Sequence, residues 1–252
     1  MKTFGLLGFP LAHSFSKSFF ESKFKILGLK DCEFLLFEYS DIKDFINVIP
    51  QIKYLKGFSV TSPHKENIIP FLDDIDIDAN DIDAVNCVKV IEENGQRKMI
   101  GYNTDHYGFH QSLKPFLEPK HSRALILGTG GAAKAVAFSL KKLGLEYWFV
   151  TRVKNKNVHA GNLFEYSELS PLIIDSFKLI VNTTPSEMLY GPQAFPKIPY
   201  EYISTDHLCY DLIYQPEETR FLINCKSRGA VVMNGLDMLY AQAEKAWSIW
   251  TK

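Results

Sequence analysis

Gly128-Thr129-Gly130-Gly131-Ala132-Ala133 follows the apolar run Ala124-Leu125-Ile126-Leu127 and opens a helical stretch. This is the G-x-G-x-x-[GA] pattern in the strand-to-helix setting that gives it meaning. Glycines let the chain turn tightly and let a pyrophosphate approach the backbone, while a helix N-terminus offers unbonded N–H groups and partial positive charge. The chemistry implied is dinucleotide binding; alone, such a turn can also be purely structural. The next predicted strand, residues 146–150, runs into Thr151-Arg152 and then Lys154. An NAD site usually carries Asp or Glu about 20 residues after the turn, whereas an Arg there accommodates the 2′-phosphate of NADP. Unless Arg152 and Lys154 are ordinary solvated loop charges, the cofactor expected is NADP(H).

Three further polar groups fall on loops at the ends of predicted strands, where open α/β sheets bind their ligands. They are residues 8–16 (G-F-P-L-A-H-S-F-S), residues 60–65 (V-T-S-P-H-K), and Asn86 together with residues 101–105 (G-Y-N-T-D). Between them they offer hydroxyls, amides, one ammonium and one carboxylate.

Holding those loops requires a regular frame, and the apolar pattern supplies one. Strands are predicted at 3–7, 33–39 and 57–61, with helices at 41–49 and 65–69. The first helix is expected to start at Ser18, which has capping-box spacing to Glu21, and to end at Gly28. The order β-α-β-α-β-α predicts a parallel sheet. Residues 85–91 and 97–100 flank Glu92-Glu93-Asn94-Gly95, a hairpin signal that adds antiparallel strands. A helix from Asp105 to about 117 leads into a second α/β unit, with strands at 124–127, 146–150, 178–181, 207–211 and 230–233. The last segment is a helix with Leu239, Ala243, Ala246 and Trp250 on one stripe.

Composition narrows the function classes. The 252 residues are 46% hydrophobic and 23% charged, as in a soluble globular chain. A net charge of -1 leaves no basic excess for nucleic acid. Cys32, Cys87, Cys209 and Cys225 are scattered without metal or scaffold spacing, which fits reduced thiols in a cytoplasm. Gly5, Gly8 and Pro10 break the N-terminal apolar run, so no signal peptide is expected. No run reaches the ~18 apolar residues of a membrane span. His106 and His110 share a helical face with Asp105, but no third ligand accompanies them and no metal is expected.

The motifs, taken in order, resemble those of the shikimate dehydrogenases. That family carries G-x-P-x-x-H-S-x-S, V-T-x-P-x-K, A-V-N, G-x-N-T-D, a glycine-rich turn and Y-D-x-x-Y-x-P. They correspond here to residues 8–16, 60–65, 84–86, 101–105, 128–133 and 210–216 with Thr219, followed by residues 234–242. The resemblance implies an α/β fold of two domains. Residues 1–104 and 235–252 would form a substrate domain with a mostly parallel sheet, and residues 105–234 a doubly wound Rossmann domain for NADP. It implies an oxidoreductase that reversibly reduces 3-dehydroshikimate to shikimate, a step of chorismate and aromatic amino-acid biosynthesis, in a cleft between the domains. The protein would be a cytoplasmic monomer or homodimer.

By the same resemblance Lys65 and Asp105 are catalytic. The residue types leave open whether Lys65 donates the proton or anchors the oxygen electrostatically. Ser14, Ser16, Thr61, Asn86, Tyr214 and Gln242 would bind the substrate. Gly128, Gly130, Gly131, Ala132, Thr151, Arg152, Gly235 and Met238 would bind the cofactor. Two departures stand out: Ser59 replaces the usual Asn before V-T, and Thr151-Arg152-Val153 replaces Asn-Arg-Thr. They keep a quinate/shikimate dehydrogenase using NAD or NADP in view. A non-catalytic dinucleotide sensor, from another class, would have no need of Lys65 and Asp105.

Overall fold

The computed structural model describes residues 1–11, 14–93, 95–152, 162–184, 191 and 195–252. Ala12, His13, Asn94, Val153 and Lys154, all used in the sequence argument, lie outside the described residues. The chain divides into two compact units, Met1–Thr104 with Ala243–Lys252, and Asp105–Gln242.

Among the described residues the first unit has six strands: β1 (Lys2–Gly8), β2 (Cys32–Glu38), β3 (Leu55–Val60), β4 (Asp74–Ile75), β5 (Cys87–Glu93) and β6 (Gln96–Tyr102). Their order is β2-β1-β3-β5-β6-β4. β5 pairs antiparallel with both neighbours and every other pairing is parallel, so β5 alone runs against the rest. Alternation along β1 sends Leu7 to one face and Phe4 and Leu6 to the other. On the first face Leu7 packs with Phe37, Phe45, Phe58 and Ile68. On the second, Phe4 and Phe20 pack with Ala243, Ala246 and Trp250 of the chain's last segment. Trp250 Nε1 donates to the Val88 carbonyl at 3.0 Å, and its ring occupies the space where Gly57 has no side chain.

The helices here are α1 (Phe15–Ile26), α2 (Ile42–Val48), α3 (His64–Asn67) and α4 (Ile77–Ile82). The expected start of α1 at Ser18 is corrected: Ser14 is the N-cap residue, and Ser18 lies in the first turn with its hydroxyl donating to the Phe15 carbonyl at 2.9 Å. Phe15 stacks on Phe19 one turn later, which holds that extra turn in the helix. β4 and α4 were not foreseen. Asp76 caps α4 by accepting from the Asp78 N–H, and Asp83 closes it at φ 57°.

The second unit carries β7 (Arg123–Leu127), β8 (Glu146–Thr151), β9 (Leu163–Glu165), β10 (Leu179–Asn182), β11 (Leu208–Asp211) and β12 (Val231–Met233). Among the described residues all pairings are parallel, and the order β12-β11-β10-β7-β8-β9 is the doubly wound Rossmann arrangement. Ala124 and Ile126 face one apolar cluster while Leu125 and Leu127 face another, which is why β7 reads as an unbroken apolar run.

Helices α5 (Asp105–Leu113), α6 (Gly131–Lys142), α7 (Pro171–Ser176) and α8 (Arg220–Lys226) belong to this unit, and α9 (Leu236–Thr251) starts in it. α5 stops at Leu113, short of 117, and a 3-10 turn at Lys114–Phe116 follows because Pro115 has no N–H to continue the helix. The second unit keeps residues 235–242, a later division than the sequence suggested. Met238 belongs to its apolar cluster, and Gly108 lets α5 close on the start of α9: a Cβ there would sit 3.1 Å from the Gln242 nitrogen.

Candidate active site

In the first unit β1, β3 and β6 end at one edge of the sheet, and antiparallel β5 begins there. Four of the six residues expected to bind substrate lie on this edge with Lys65, whereas Tyr214, Gln242 and Asp105 belong to the second unit. Ser14 and Ser16 follow β1, Thr61 and Lys65 follow β3, and Asn86 precedes β5. The loops are laced together by their backbones. The Thr61 N–H donates to the Leu7 carbonyl at 2.8 Å, and the Phe9 N–H to the Ser62 carbonyl at 3.0 Å. Lys65 is half-buried on α3, and its carbonyl accepts from the Val85 N–H at 2.8 Å.

Two side chains on this edge inform the chemistry. The Ser14 hydroxyl is buried and has no hydrogen-bond partner among the described residues. A buried hydroxyl without a partner costs free energy unless a ligand supplies one. Asn86 instead makes a closed pair with Thr104: its Nδ2 donates to Thr104 Oγ1 at 3.0 Å, and the Thr104 N–H donates to its Oδ1 at 2.6 Å. Asn103 Nδ2 donates to the Ala84 carbonyl at 2.9 Å. The A-V-N and G-x-N-T-D motifs are therefore bolted to each other, and Asp105 follows directly, buried, as the first residue of α5.

In the second unit the expected cofactor residues lie at the carboxyl ends of parallel strands or just beyond them, except Met238, which stands on α9. Gly128, Gly130, Gly131 and Ala132 join β7 to α6, at the point where β8 and β10 flank β7. Gly128 has φ 113°, and a Cβ on it would lie 2.6 Å from Thr183 Oγ1. Gly130, the N-cap of α6, has nothing within 4 Å of where its Cβ would be. α6 has no side-chain cap and no acidic residue in its first turn. That leaves its N-terminal N–H groups to an anion, so the turn fits a dinucleotide pyrophosphate.

Thr151 ends β8 and Arg152 follows it, exposed. Burial pushes the Tyr166 phenol up to about 12, with the Arg152 guanidinium acting in the opposite direction. Tyr214 lies past β11, half-buried, and the Gln242 amide donates to the Leu239 carbonyl at 3.0 Å. Met238 is part of the apolar core. A Cβ on Gly235 would collide with the Leu212 backbone, so only glycine allows the start of α9 to lie against the loop after β11.

Sequence reasoning included Asp211 and Thr219 in the motif at residues 210–219 but gave them no role in shaping that loop. Asp211, fully buried, accepts from Asn182 Nδ2 at 3.0 Å, from the Ile213 N–H at 3.1 Å and from Thr219 Oγ1 at 2.6 Å. Asn182 in turn accepts from the Thr184 N–H at 3.0 Å. The signal was present as a polar residue closing each of two apolar strands. Their partnership depends on the parallel register that sets Asn182 beside Asp211.

Residues 6–88 match the family model described as the shikimate dehydrogenase substrate binding domain. A shikimate dehydrogenase (NADP(+)) of Methanococcus maripaludis strain C7 is 39% identical, with 99% of this chain and 91% of that protein covered. The crystal structure of shikimate dehydrogenase from Aquifex aeolicus superposes with a TM-score of 0.85 at 37% identity, covering 99% of this chain and 92% of the other. Shikimate 5-dehydrogenase of Thermus thermophilus, in complex with NADP(H) and shikimate, gives a TM-score of 0.85 at 32% identity, covering 100% of this chain and 94% of the other.

Proposed function

The chain belongs to the shikimate dehydrogenase family, and from that premise we propose how its own residues reduce 3-dehydroshikimate reversibly to shikimate with NADPH. The observation that supports the reading is that the described residues of the motifs at 60–65, 84–86, 101–105 and 128–133 lie at or beside strand ends, where α/β sheets bind ligands. Met1–Thr104 with Ala243–Lys252 is the substrate unit, and Asp105–Gln242 is the NADP unit. Bound NADPH supplies the hydride. The protein's task is to hold both molecules and to manage the ketone oxygen.

Lys65 Nζ stabilises that oxygen as negative charge develops and gives it a proton, and Asp105 orients the ammonium and shares the proton traffic. Ser14 and Ser16 receive the substrate carboxylate together with Tyr214, and the unsatisfied Ser14 hydroxyl supports this assignment. Thr61, Asn86 and Gln242 bind the ring hydroxyls. The backbone at Gly128, Gly130, Gly131 and Ala132 cradles the pyrophosphate, while Thr151 and Arg152 receive the 2′-phosphate, and Gly235 and Met238 border the cofactor. No helix among the described residues is long and apolar enough to cross a membrane. We place the protein in the cytoplasm, as a monomer or homodimer that binds no nucleic acid.

Absorbance of the reduced nicotinamide, followed with shikimate or quinate and with NADP or NAD, tests the reading. Shikimate with NADP should give the highest kcat/KM. Preference for quinate or NAD would reassign the chain to a broader quinate/shikimate specificity, and dinucleotide binding without turnover would make it a sensor. Arg152→Ala should weaken NADP binding by about tenfold to a hundredfold, the worth of a charge-assisted bond to phosphate, and leave NAD binding unchanged. Equal losses for both dinucleotides, measured by fluorescence titration, would remove Arg152 from 2′-phosphate recognition.

A further inference from the structure

Lys65 stands on a helix of four residues, too short to fix its own orientation by intrahelical bonds. The direction of its side chain must be set from outside. The neighbouring His64 is 1% exposed, and its Nε2 lies 2.6 Å from the Tyr39 carbonyl oxygen. A carbonyl can only accept, so the proton is on Nε2. Nδ1 is buried and has no partner among the described residues, so this one bond is the polar anchorage of the ring.

Tyr39 faces two ways. Its N–H donates to the Gly8 carbonyl at 3.2 Å while its carbonyl receives His64. The His64 N–H donates to the Thr61 carbonyl at 2.9 Å, and the Leu11 N–H donates to Glu38 Oε1 at 3.0 Å. One backbone residue after β2 thus joins the loop carrying Ser14 to the helix carrying Lys65.

Resting on the assignment of Lys65 above, we propose that His64 is a positioning residue for it, locking the rotation of α3 through the Nε2–Tyr39 bond. Adjacent helical residues point about 100° apart, so a buried His64 fixes the direction in which Lys65 leaves the helix. Without that bond α3 is left to its backbone ties, such as that from the Val85 N–H to the Lys65 carbonyl, and a small turn about them swings Nζ at the end of its long stem. Misplacement by about 1 Å is enough to cost up to a hundredfold in rate.

His64→Gln and His64→Asn separate positioning from bulk. The Gln amide nitrogen reaches about as far as imidazole Nε2, whereas that of Asn stops short. With kcat taken per NADPH-binding site, His64→Gln should stay within about threefold of wild type. His64→Asn should lose about tenfold or more in kcat, with the KM for shikimate and the Kd for NADP little changed. Equal kcat in the two variants, whether both are active or both impaired, overturns the proposal. Lys65→Ala is measured beside them. If it is inactive while His64→Asn turns over normally, the proposal alone fails; if Lys65→Ala is active, the reading of Lys65 fails first.

Discussion

Lys65→Ala should lower kcat by about a thousandfold while leaving the Kd for NADP within a factor of two. That loss combines removal of a positioned proton donor, worth about 10²–10⁴-fold, with removal of a cation facing a developing alkoxide, worth about 10²–10³-fold. The two overlap because one ammonium supplies both. Lys65 lies in the first unit, and the glycine turn expected to bind the dinucleotide lies in the second, so cofactor affinity is the internal control. Stopped-flow reduction of NADP by shikimate isolates the chemical step from product release. Lys65→Arg then separates the roles, since guanidinium keeps the charge but does not release a proton at neutral pH. If Lys65 is the donor, arginine should recover less than about tenfold over alanine. A larger recovery would make it an electrostatic anchor, and wild-type turnover in Lys65→Ala would remove it from the mechanism.

What the sequence made legible follows from how local each signal is. The dinucleotide turn was readable because its glycines, the strand before it and the helix after it are contiguous. β7, β10 and β11 were readable because a strand covered on both faces is apolar throughout. β4 and α4 were hidden: Asp73-Asp74-Ile75-Asp76-Ile77-Asp78 alternates like a strand, and a helix of six residues is too short to display its own period. The capping-box spacing of Ser18 and Glu21 was a local coincidence, overridden by aromatic packing at Phe15 and Phe19. Arg152 could be placed at the end of β8 from sequence because strand and charge adjoin. His64 could not be distinguished from filler, because its partner Tyr39 lies on another strand's loop.

The same limit applies to the polar network after β10 and β11, whose loss should destabilise the protein most. Asp211→Ala removes the acceptor of three donors, Asn182 Nδ2, the Ile213 N–H and Thr219 Oγ1, at a site without solvent. An unsatisfied buried donor costs about 1–3 kcal/mol, and partial relaxation keeps the total to about 3–5 kcal/mol. The damage spreads because Thr219 also caps α8, accepting from the Leu222 N–H at 3.3 Å. It extends to the loop that passes Gly235, since the Ile213 N–H is bonded to Asp211 and the Ile213 carbonyl accepts from the Gly235 N–H at 3.0 Å. The expected result is a fall in Tm of roughly 10 °C for a chain of this size, measured by near-ultraviolet circular dichroism. Asp211→Asn keeps an acceptor for some of the donors and should lose about half as much. A fall of less than about 3 °C in Asp211→Ala would mean that water replaces the carboxylate, and that the loop is held by the backbone pairing of β10 with β11 instead.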